Sequence, residues 1–212
     1  MTGRFITFEG GEGVGKTTQI ARAVAWLEAR GIDVVLTREP GGTPRAEALR
    51  RLLLERDQEP MPGACELLLM FAARSTHLEN RVRPAVARGA WVLCDRFTDA
   101  TYAYQGGGRG VPEPTIAALA ELVHGGFEPD LTVLLDAPVT VGLARAAIRN
   151  GSQGPDRFET ERAEFFERVR AAYLDRARRY PSRIRVVDAT GDVAAVAGRI
   201  EALLGALVED AR

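Results

Sequence analysis

Cysteine and histidine are both scarce in this sequence. The two cysteines, Cys65 and Cys94, lie in a helix-like and a strand-like apolar run respectively. Two isolated thiols make neither a disulfide framework nor a multi-cysteine metal site, so we expect reduced, structural thiols, as in a reducing cytoplasm. The two histidines, His77 and His124, are also interpreted as structural. His124 falls at the predicted end of a helix, where a positive charge is favourable.

The chain also lacks an excess of charge and long apolar runs. Its net charge is −1, from 28 basic and 29 acidic residues, so overall charge favours neither nucleic acid nor an anionic membrane as partner. No run approaches the roughly 20 apolar residues that span a bilayer, and Met1 to Arg4 lead directly into a strand, which leaves no room for a signal segment. We therefore expect a cytoplasmic protein with a single domain, residues 1–212.

Short β-rich apolar runs alternate with helical patterns along the whole chain. This alternation predicts an α/β fold with a parallel sheet and right-handed crossovers. Five strands are expected, near Phe5–Glu9, Asp33–Thr37, Trp91–Asp95, Leu131–Asp136 and Arg185–Asp188. Helices are expected near Lys16–Arg30, Arg45–Leu54, Ala64–Arg88 with a kink or break at Pro84, Pro114–His124, Val139–Arg149, Glu161–Arg179 and Val193–Leu207.

The segment between the first strand and the first helix has the spacing G-x-x-x-x-G-K-[ST] of a phosphate-binding loop, or P-loop. Its glycines allow successive backbone N–H groups to converge on one phosphate, and the dipole of the following helix adds positive potential. Lys16 can reach the β- and γ-phosphates, and the Thr17 hydroxyl can bind Mg²⁺. We expect these residues to bind ATP: Gly10, Gly11, Glu12, Gly13, Val14, Gly15, Lys16, Thr17 and Thr18.

Arginines and polar residues follow the second and third predicted strands. Arg38, in a loop that includes Glu39 and Pro40, and Arg50 on the next helix could present guanidinium groups to a second phosphate. Phe71 and Arg74 lie three residues apart on a helix and form a plausible nucleobase platform.

The third predicted strand ends in Asp95, the position that holds Mg²⁺ in P-loop enzymes. Arg96 and Arg109 bracket Thr101, Tyr104 and Gln105, which are spaced to project from one turn of helix.

These motifs together resemble the bacterial thymidylate kinases over almost the full length of the chain. The resemblance rests on the P-loop, TREPGGT at 37–43, FAAR at 71–74, DRFTDATYAYQGGGR at 95–109 and DRFE at 156–159. It implies transfer of the ATP γ-phosphate to dTMP, giving dTDP and ADP, with Mg²⁺ as cofactor. It further implies a three-layer, adenylate-kinase-like P-loop fold with five parallel strands, a short lid at about 150–160 and a homodimer.

The resemblance also assigns roles to individual residues. Arg38 and Arg96 would hold the acceptor phosphate with help from Arg50, in a substrate site that includes Glu39 and Pro40. Arg74 and Gln105 would read the thymine edge, Thr101 would add a polar contact, and Tyr104 would close against the sugar C2′. Glu12 would lie near the sugar 3′ hydroxyl or the metal. Phe71 would stack on the base, although many relatives carry the ring one position earlier, where this chain has Met70.

The P-loop has no arginine among its variable positions, so an arginine for the transferred phosphate must come from elsewhere. Arg145, Arg149 and Arg157 flank or lie in the predicted lid, and the sequence leaves open which of them acts. We take Lys16, Arg96, Arg149 and Arg157 as the catalytic candidates. The alternatives are a kinase for another nucleoside monophosphate and a non-catalytic P-loop nucleotide switch.

Overall fold

The computed structural model describes residues 2–55, 59–150 and 161–210. Its sheet has five strands, all parallel, in the order β2-β3-β1-β4-β5. The five predicted strands are thereby confirmed, each within one residue at either end. They are β1 Arg4–Glu9, β2 Val34–Arg38, β3 Trp91–Asp95, β4 Leu131–Asp136 and β5 Ile184–Asp188.

Helices cover both faces of the sheet in the described part of the chain. They are α1 Lys16–Glu28, α2 Pro44–Leu54, α3 Gly63–His77, α4 Arg83–Ala87, α5 Thr98–Thr101, α6 Glu113–His124, α7 Val139–Asn150, α8 Ala163–Arg179 and α9 Val193–Asp210. None of the described helices is long and apolar enough to cross a membrane.

The two faces of the sheet bury alternate residues of each strand, as the two-residue period of a strand requires. On β3, Trp91 and Leu93 join the cluster under α1 and α9, whereas Val92 and Cys94 join the cluster under α4. Strand β1 lies at the centre, hydrogen-bonded to β3 on one side and β4 on the other. The loop that follows β1 is therefore flanked by the carboxyl ends of all four other strands, where open parallel sheets bind ligands.

Pro84 does not break the long third helix. A π-helical turn, Leu78–Val82, joins α3 to α4 and ends two residues before Pro84. Proline has no N–H to donate, and widening the preceding turn accommodates it without ending the helix.

A second π-helical segment, Tyr102–Gly108, continues α5 and carries three glycines that ordinarily disfavour a helix. A Cβ at Gly107 would collide with Ala172, and one at Gly108 with the Phe165 ring, both on α8. The glycines therefore serve close packing between two helices rather than a turn.

His124 is neutral, so the expectation that its positive charge would be favoured at the end of a helix is wrong. Burial, assisted by the charges of Arg74 and Arg83, lowers the pKa of His124 from 6.5 to about 4. Its Nε2 lies 3.1 Å from the Thr98 hydroxyl, and Arg83 Nη2 instead donates to the His124 backbone carbonyl at 2.9 Å.

A buried charge cluster joins α5, α8 and the start of β5. Asp99 is 2% exposed; its Oδ1 accepts from Arg176 at 2.6 Å and its Oδ2 from Arg183 at 2.6 Å. Burial acts to raise the pKa of Asp99, but the hydrogen bond from Arg183 and the charge of Arg176 hold it below its ordinary value. The carboxylate therefore stays ionised and stabilises the fold at neutral pH.

Replacing Asp99 should destabilise the protein strongly. Asp99→Asn leaves the buried Arg176 without its counter-charge and removes one of the two carboxylates that pair with Arg183, which costs on the order of 3–5 kcal/mol of unfolding free energy. Asp175→Asn, in an exposed ion pair on α8, the helix that carries Arg176, should cost less than about 1 kcal/mol. Denaturant titration at pH 7 measures both, and equal effects would contradict this account.

The same group predicts a pH dependence. Because the folded-state pKa of Asp99 lies below its unfolded value of about 3.9, its contribution is fully present above pH ~4 and is lost as pH falls through the folded pKa. Asp99→Asn should remove this part of the acid destabilisation, which the same titration repeated between pH 3 and 7 measures.

Candidate active site

The P-loop turns tightly between β1 and α1. Gly13 and Gly15 adopt left-handed φ angles of 67° and 91°, which an L side chain rarely adopts. Lys16 Nζ donates to the carbonyl oxygens of Gly10 at 3.1 Å and Gly11 at 2.9 Å. Burial and the nearby Arg96 lower the pKa of Lys16. The ammonium group is thus held within the loop.

Helix α7 touches the P-loop through backbone atoms. A Cβ at Gly13 would collide with the Gly142 carbonyl oxygen, and a Cβ at Gly142 would collide with the Glu12 carbonyl oxygen. These two glycines bring the helix that carries Arg145 and Arg149 into direct contact with the loop.

Arg96 follows β3 directly and has φ 72°, the one left-handed non-glycine among the described residues. A non-glycine residue held there stores backbone strain, which is typical of functional sites. Its Nη2 donates to Glu12 Oε1 at 2.6 Å and to the Tyr104 hydroxyl at 3.0 Å, while Nη1 donates to the Gly10 carbonyl at 3.0 Å and the Tyr173 hydroxyl at 3.1 Å. The guanidinium group therefore ties the end of β3 to the P-loop.

Glu9, the last residue of β1, is a fully buried carboxyl that sequence reasoning missed. It accepts from the Phe97 N–H and from the Tyr173 hydroxyl, both at 2.7 Å. Burial and the charge of Asp99 raise its pKa from 4.5 to about 7, against the opposing effect of Arg96. Glu9 therefore supports Arg96 indirectly. It binds the backbone N–H of Phe97, the next residue, and the Tyr173 hydroxyl that accepts from Arg96.

Arg74 of α3 is almost completely buried and is oriented from three sides. Its Nε donates to Glu39 Oε2 at 2.7 Å, and its Nη2 donates to the Thr101 hydroxyl at 3.0 Å and the Phe97 carbonyl at 3.2 Å. Its Nη1 is buried without a hydrogen-bond partner in the described structure. A buried guanidinium nitrogen left unpaired beside a cavity is a donor available to a ligand.

Glu39, which binds Arg74, is itself held in place by His77. Glu39 Oε1 lies 2.8 Å from His77 Nδ1, and His77 Nε2 lies 2.6 Å from the Thr37 hydroxyl. Burial opposes ionisation, but Arg74 and His77 together hold the pKa of Glu39 below its usual value. Both of its oxygens are used within the protein, so Glu39 orients Arg74.

Two further arginines lie beside this group, on β2 and α2. Arg38 Nη2 is 3.0 Å from both carboxylate oxygens of Glu47, and Arg50 Nη1 donates to the Pro40 carbonyl at 2.8 Å.

One cavity of about 750 Å³ unites these groups. Nearly all of the sequence-predicted residues in the described chain line it. They are Glu12, Gly13, Val14, Gly15, Lys16, Thr17, Thr18, Arg38, Glu39, Pro40, Arg50, Arg74, Asp95, Arg96, Thr101, Tyr104 and Gln105.

Phe71 is not brought to the cavity wall, which Met70 lines instead. Phe71 is 2% exposed and packs with Leu67 and Ile116, with the Arg74 guanidinium 4.8 Å from its ring centre. On α3, Met70 reaches the cavity beside Arg74, whereas Phe71 points into the buried cluster with Leu67 and Ile116. The expected stacking of Phe71 on a base is therefore not supported, and Met70 occupies that place.

Gly10 and Gly11 do not line this cavity, and their carbonyl oxygens accept hydrogen bonds from Lys16. Arg149 lies on α7, but its side chain, like Arg157 and the rest of residues 151–160, is outside the described residues.

Sequence reasoning also missed the wall on the other side of the P-loop. Arg145 Nη1 donates to the Ala189 carbonyl at 3.1 Å, and Gln19 Nε2 donates to the Val193 carbonyl at 3.0 Å. These residues line the same cavity together with Gly191 and Asp192. Only Arg145 carried a charge signal that sequence reasoning used.

The groups expected to hold Mg²⁺ fit that ion. Asp95 Oδ1 is buried and has no hydrogen-bond partner in the described structure, and both Asp95 and Thr17 line the cavity beside Lys16. Mg²⁺ prefers one or two carboxylates, with phosphate and water oxygens completing its shell.

Comparison with known proteins agrees with this arrangement. Residues 8–200 match the family model described as thymidylate kinase. A thymidylate kinase from Chromohalobacter salexigens is 60% identical over 203 residues, 95% of each chain, and one from Pseudomonas putida is 57% identical over the full length of both chains.

A crystal structure of thymidylate kinase from Ehrlichia chaffeensis superposes with a TM-score of 0.75 at 33% identity, covering 97% of this chain and 99% of that one. The family model covers most of the chain and the relatives match over nearly their full length, so this chain belongs to the thymidylate kinase family.

Proposed function

We propose that this chain transfers the γ-phosphate of ATP to dTMP, giving dTDP and ADP. The main observation in support of this proposal is the composition of the cavity. A single cavity joins a P-loop to four guanidinium groups, those of Arg38, Arg50, Arg74 and Arg96, and one of these has an unpaired buried nitrogen. A site for two phosphates and one base fits a nucleoside-monophosphate kinase.

The donor half of the cavity suits ATP. The P-loop amides and Lys16 would receive its β- and γ-phosphates. The wall formed by Arg145 and residues 189–193 lies at the carboxyl end of β5, which β1 and β4 separate from β3, the strand that Arg96 follows. An adenine placed there would leave the γ-phosphate pointing toward Arg96. Thr17 and Asp95 would hold Mg²⁺, which when bound neutralises charge on the phosphates.

The acceptor half suits a thymine deoxynucleotide. Arg38, Arg50 and Arg96 would hold the monophosphate, and Arg74 Nη1 would donate to the thymine O4 beside Gln105. Met70 would pack on the face of the base. The Tyr104 ring lies 4.7 Å from the Arg96 guanidinium and its hydroxyl donates to Glu12 at 2.8 Å, so the ring is held where a ribose 2′ hydroxyl would crowd it.

Transfer needs no covalent intermediate in this arrangement. Lys16 and Arg96 bring positive charge to both sides of the transferred group, and their hydrogen bonds hold them in place beforehand. An arginine supplied to the transferred phosphate is worth about 10³–10⁵ in rate. Arg96 and Arg145 are the candidates among described side chains, and Arg149 and Arg157 stay predictions.

Several finer statements also stay predictions of the sequence: the single-domain organisation, the lid at 150–160, the homodimer, and the cytoplasmic location without nucleic-acid or membrane partners. A switch protein is disfavoured because it has no use for a second arginine cluster facing the P-loop.

A panel of nucleoside monophosphates tests the reaction directly. The purified chain with ATP and Mg²⁺ should form ADP fastest with dTMP, more slowly with dUMP, and hardly with dCMP, dGMP or AMP. ADP release measured by a coupled assay gives kcat/KM for each. Preference for another monophosphate would assign the chain a different acceptor.

Arg74→Lys should weaken dTMP recognition selectively. Lysine keeps the charge beside Glu39 but loses the second donor that faces the cavity. Loss of one charge-assisted hydrogen bond costs about 1.5–3 kcal/mol, so KM for dTMP should rise roughly 10- to 150-fold, with KM for ATP unchanged. The exposed Arg88→Lys serves as control, and unchanged kinetics in Arg74→Lys would remove it from the base site.

Lys16→Ala should abolish transfer while dTMP binding stays within a few-fold. Lys16 belongs to the donor half, and within the described residues its side-chain hydrogen bonds go to the carbonyls of Gly10 and Gly11. Isothermal titration with dTMP and the coupled assay measure the two properties separately. A large loss of dTMP affinity would show that the two halves are not independent.

A further inference from the structure

We propose that Glu66 is a positioning residue for the Gln105 amide. It holds the amide nitrogen, so that the amide oxygen meets the acceptor base, and this favours thymine over cytosine. The inference rests on the proposed function, because it concerns the base of the acceptor nucleotide. Glu66 does not line the cavity and would touch no substrate.

The geometry begins with a buried carboxylate on α3. Glu66 and Gln105 are each 1% exposed, and Gln105 Nε2 donates to Glu66 Oε1 at 2.8 Å. A carboxylate oxygen accepts hydrogen bonds, so it forces the amide nitrogen, not the amide oxygen, to face it. The Gln105 oxygen is thereby turned to the opposite side of the amide, and Gln105 lines the cavity.

The position of Glu66 is costly in a purely structural role. Its neighbours along the helix include the buried Leu67 and Phe71, and a buried carboxylate loses its hydration. Arg109 offsets part of this cost with Nε at 3.6 Å, although the same guanidinium pairs with Glu161 at 2.6 Å. A leucine would fill the same space without burying a carboxylate, but only the carboxylate can fix the Gln105 amide nitrogen, at 2.8 Å.

The orientation of the Gln105 amide determines which hydrogen bonds an acceptor base could form. Thymine offers an N3–H donor beside its O4 acceptor. Arg74 Nη1 presents a donor, and the oriented Gln105 presents an acceptor, which match that edge. Cytosine has the opposite pattern, an N3 acceptor beside an amino donor, and meets like groups on both counts.

The two base-reading side chains are built in the same way. Glu39 stands behind Arg74 and Glu66 stands behind Gln105, each at hydrogen-bond distance. Without Glu66 the Gln105 amide could rotate by half a turn and offer its N–H groups to the cavity. Thymine would then lose its acceptor, and cytosine N3 would gain a donor.

The first experiment removes the acceptor at position 66. Glu66→Leu should lower kcat/KM for dTMP about 10- to 100-fold, chiefly through KM, while kcat/KM for dCMP stays level or rises, so that their ratio falls at least tenfold. Glu121→Leu, on the exposed face of α6, is the control. Equal losses for dTMP and dCMP would overturn the inference, because a merely structural role lowers both.

A double-mutant cycle asks whether Glu66 acts through Gln105. Gln105→Met removes the amide, and in that background Glu66→Leu should have no more than a twofold further effect on dTMP turnover. Full additivity of the two losses would overturn the inference.

If Glu66→Leu fails to fold, exchanging the glutamate at position 66 with the glutamine at position 105 provides a second test. Gln105→Glu alone sets two carboxylates against each other and should lose most dTMP activity at pH 7. Adding Glu66→Gln lets the amide introduced at position 66 donate to the carboxylate at 105, whose other oxygen still accepts from N3–H, so at least tenfold of the activity should return. No recovery would overturn the inference. Absence of dTMP turnover by the unsubstituted chain would instead overturn the proposed function, and this inference with it.

Discussion

The ion pair between Arg96 and Glu12 is the contact on which the site depends. At 2.6 Å it joins the residue after β3 to the loop after β1, and the Arg96 N–H also donates to the Phe8 carbonyl of β1 at 2.9 Å. The left-handed backbone at Arg96 aims the guanidinium back across the sheet edge toward the P-loop. A side chain on an ordinary extended backbone would continue away from it.

Buried acids support three of the groups that face the cavity, those of Arg96, Arg74 and Gln105. Glu9 supports Arg96 through Tyr173 and the Phe97 N–H, and Glu39 and Glu66 orient Arg74 and Gln105. Each acid is at most 5% exposed. Such an arrangement fixes donors before substrate arrives, so little ordering is left for the moment of binding.

The positions of the strands and of the P-loop were predictable because they follow from local patterns: apolar runs, glycine spacing and helix ends. The supporting acids were not, because Glu9 and Glu66 look like ordinary charged residues until distant elements enclose them. The choice between Met70 and Phe71 depends on a helical rotation of about 100° per residue, which the resemblance alone left open. His124 reversed its expected charge because burial outweighed the helix end.

The contact between Gly13 and Gly142 sets the distance between the P-loop and helix α7. No side chain separates the loop from helix α7, so the missing β-carbons define their spacing. Even a methyl group at either position would push the helix outward and carry Arg145 away from the P-loop. The width of the cavity between the P-loop and α7 thus depends on the absence of a side chain at these two positions.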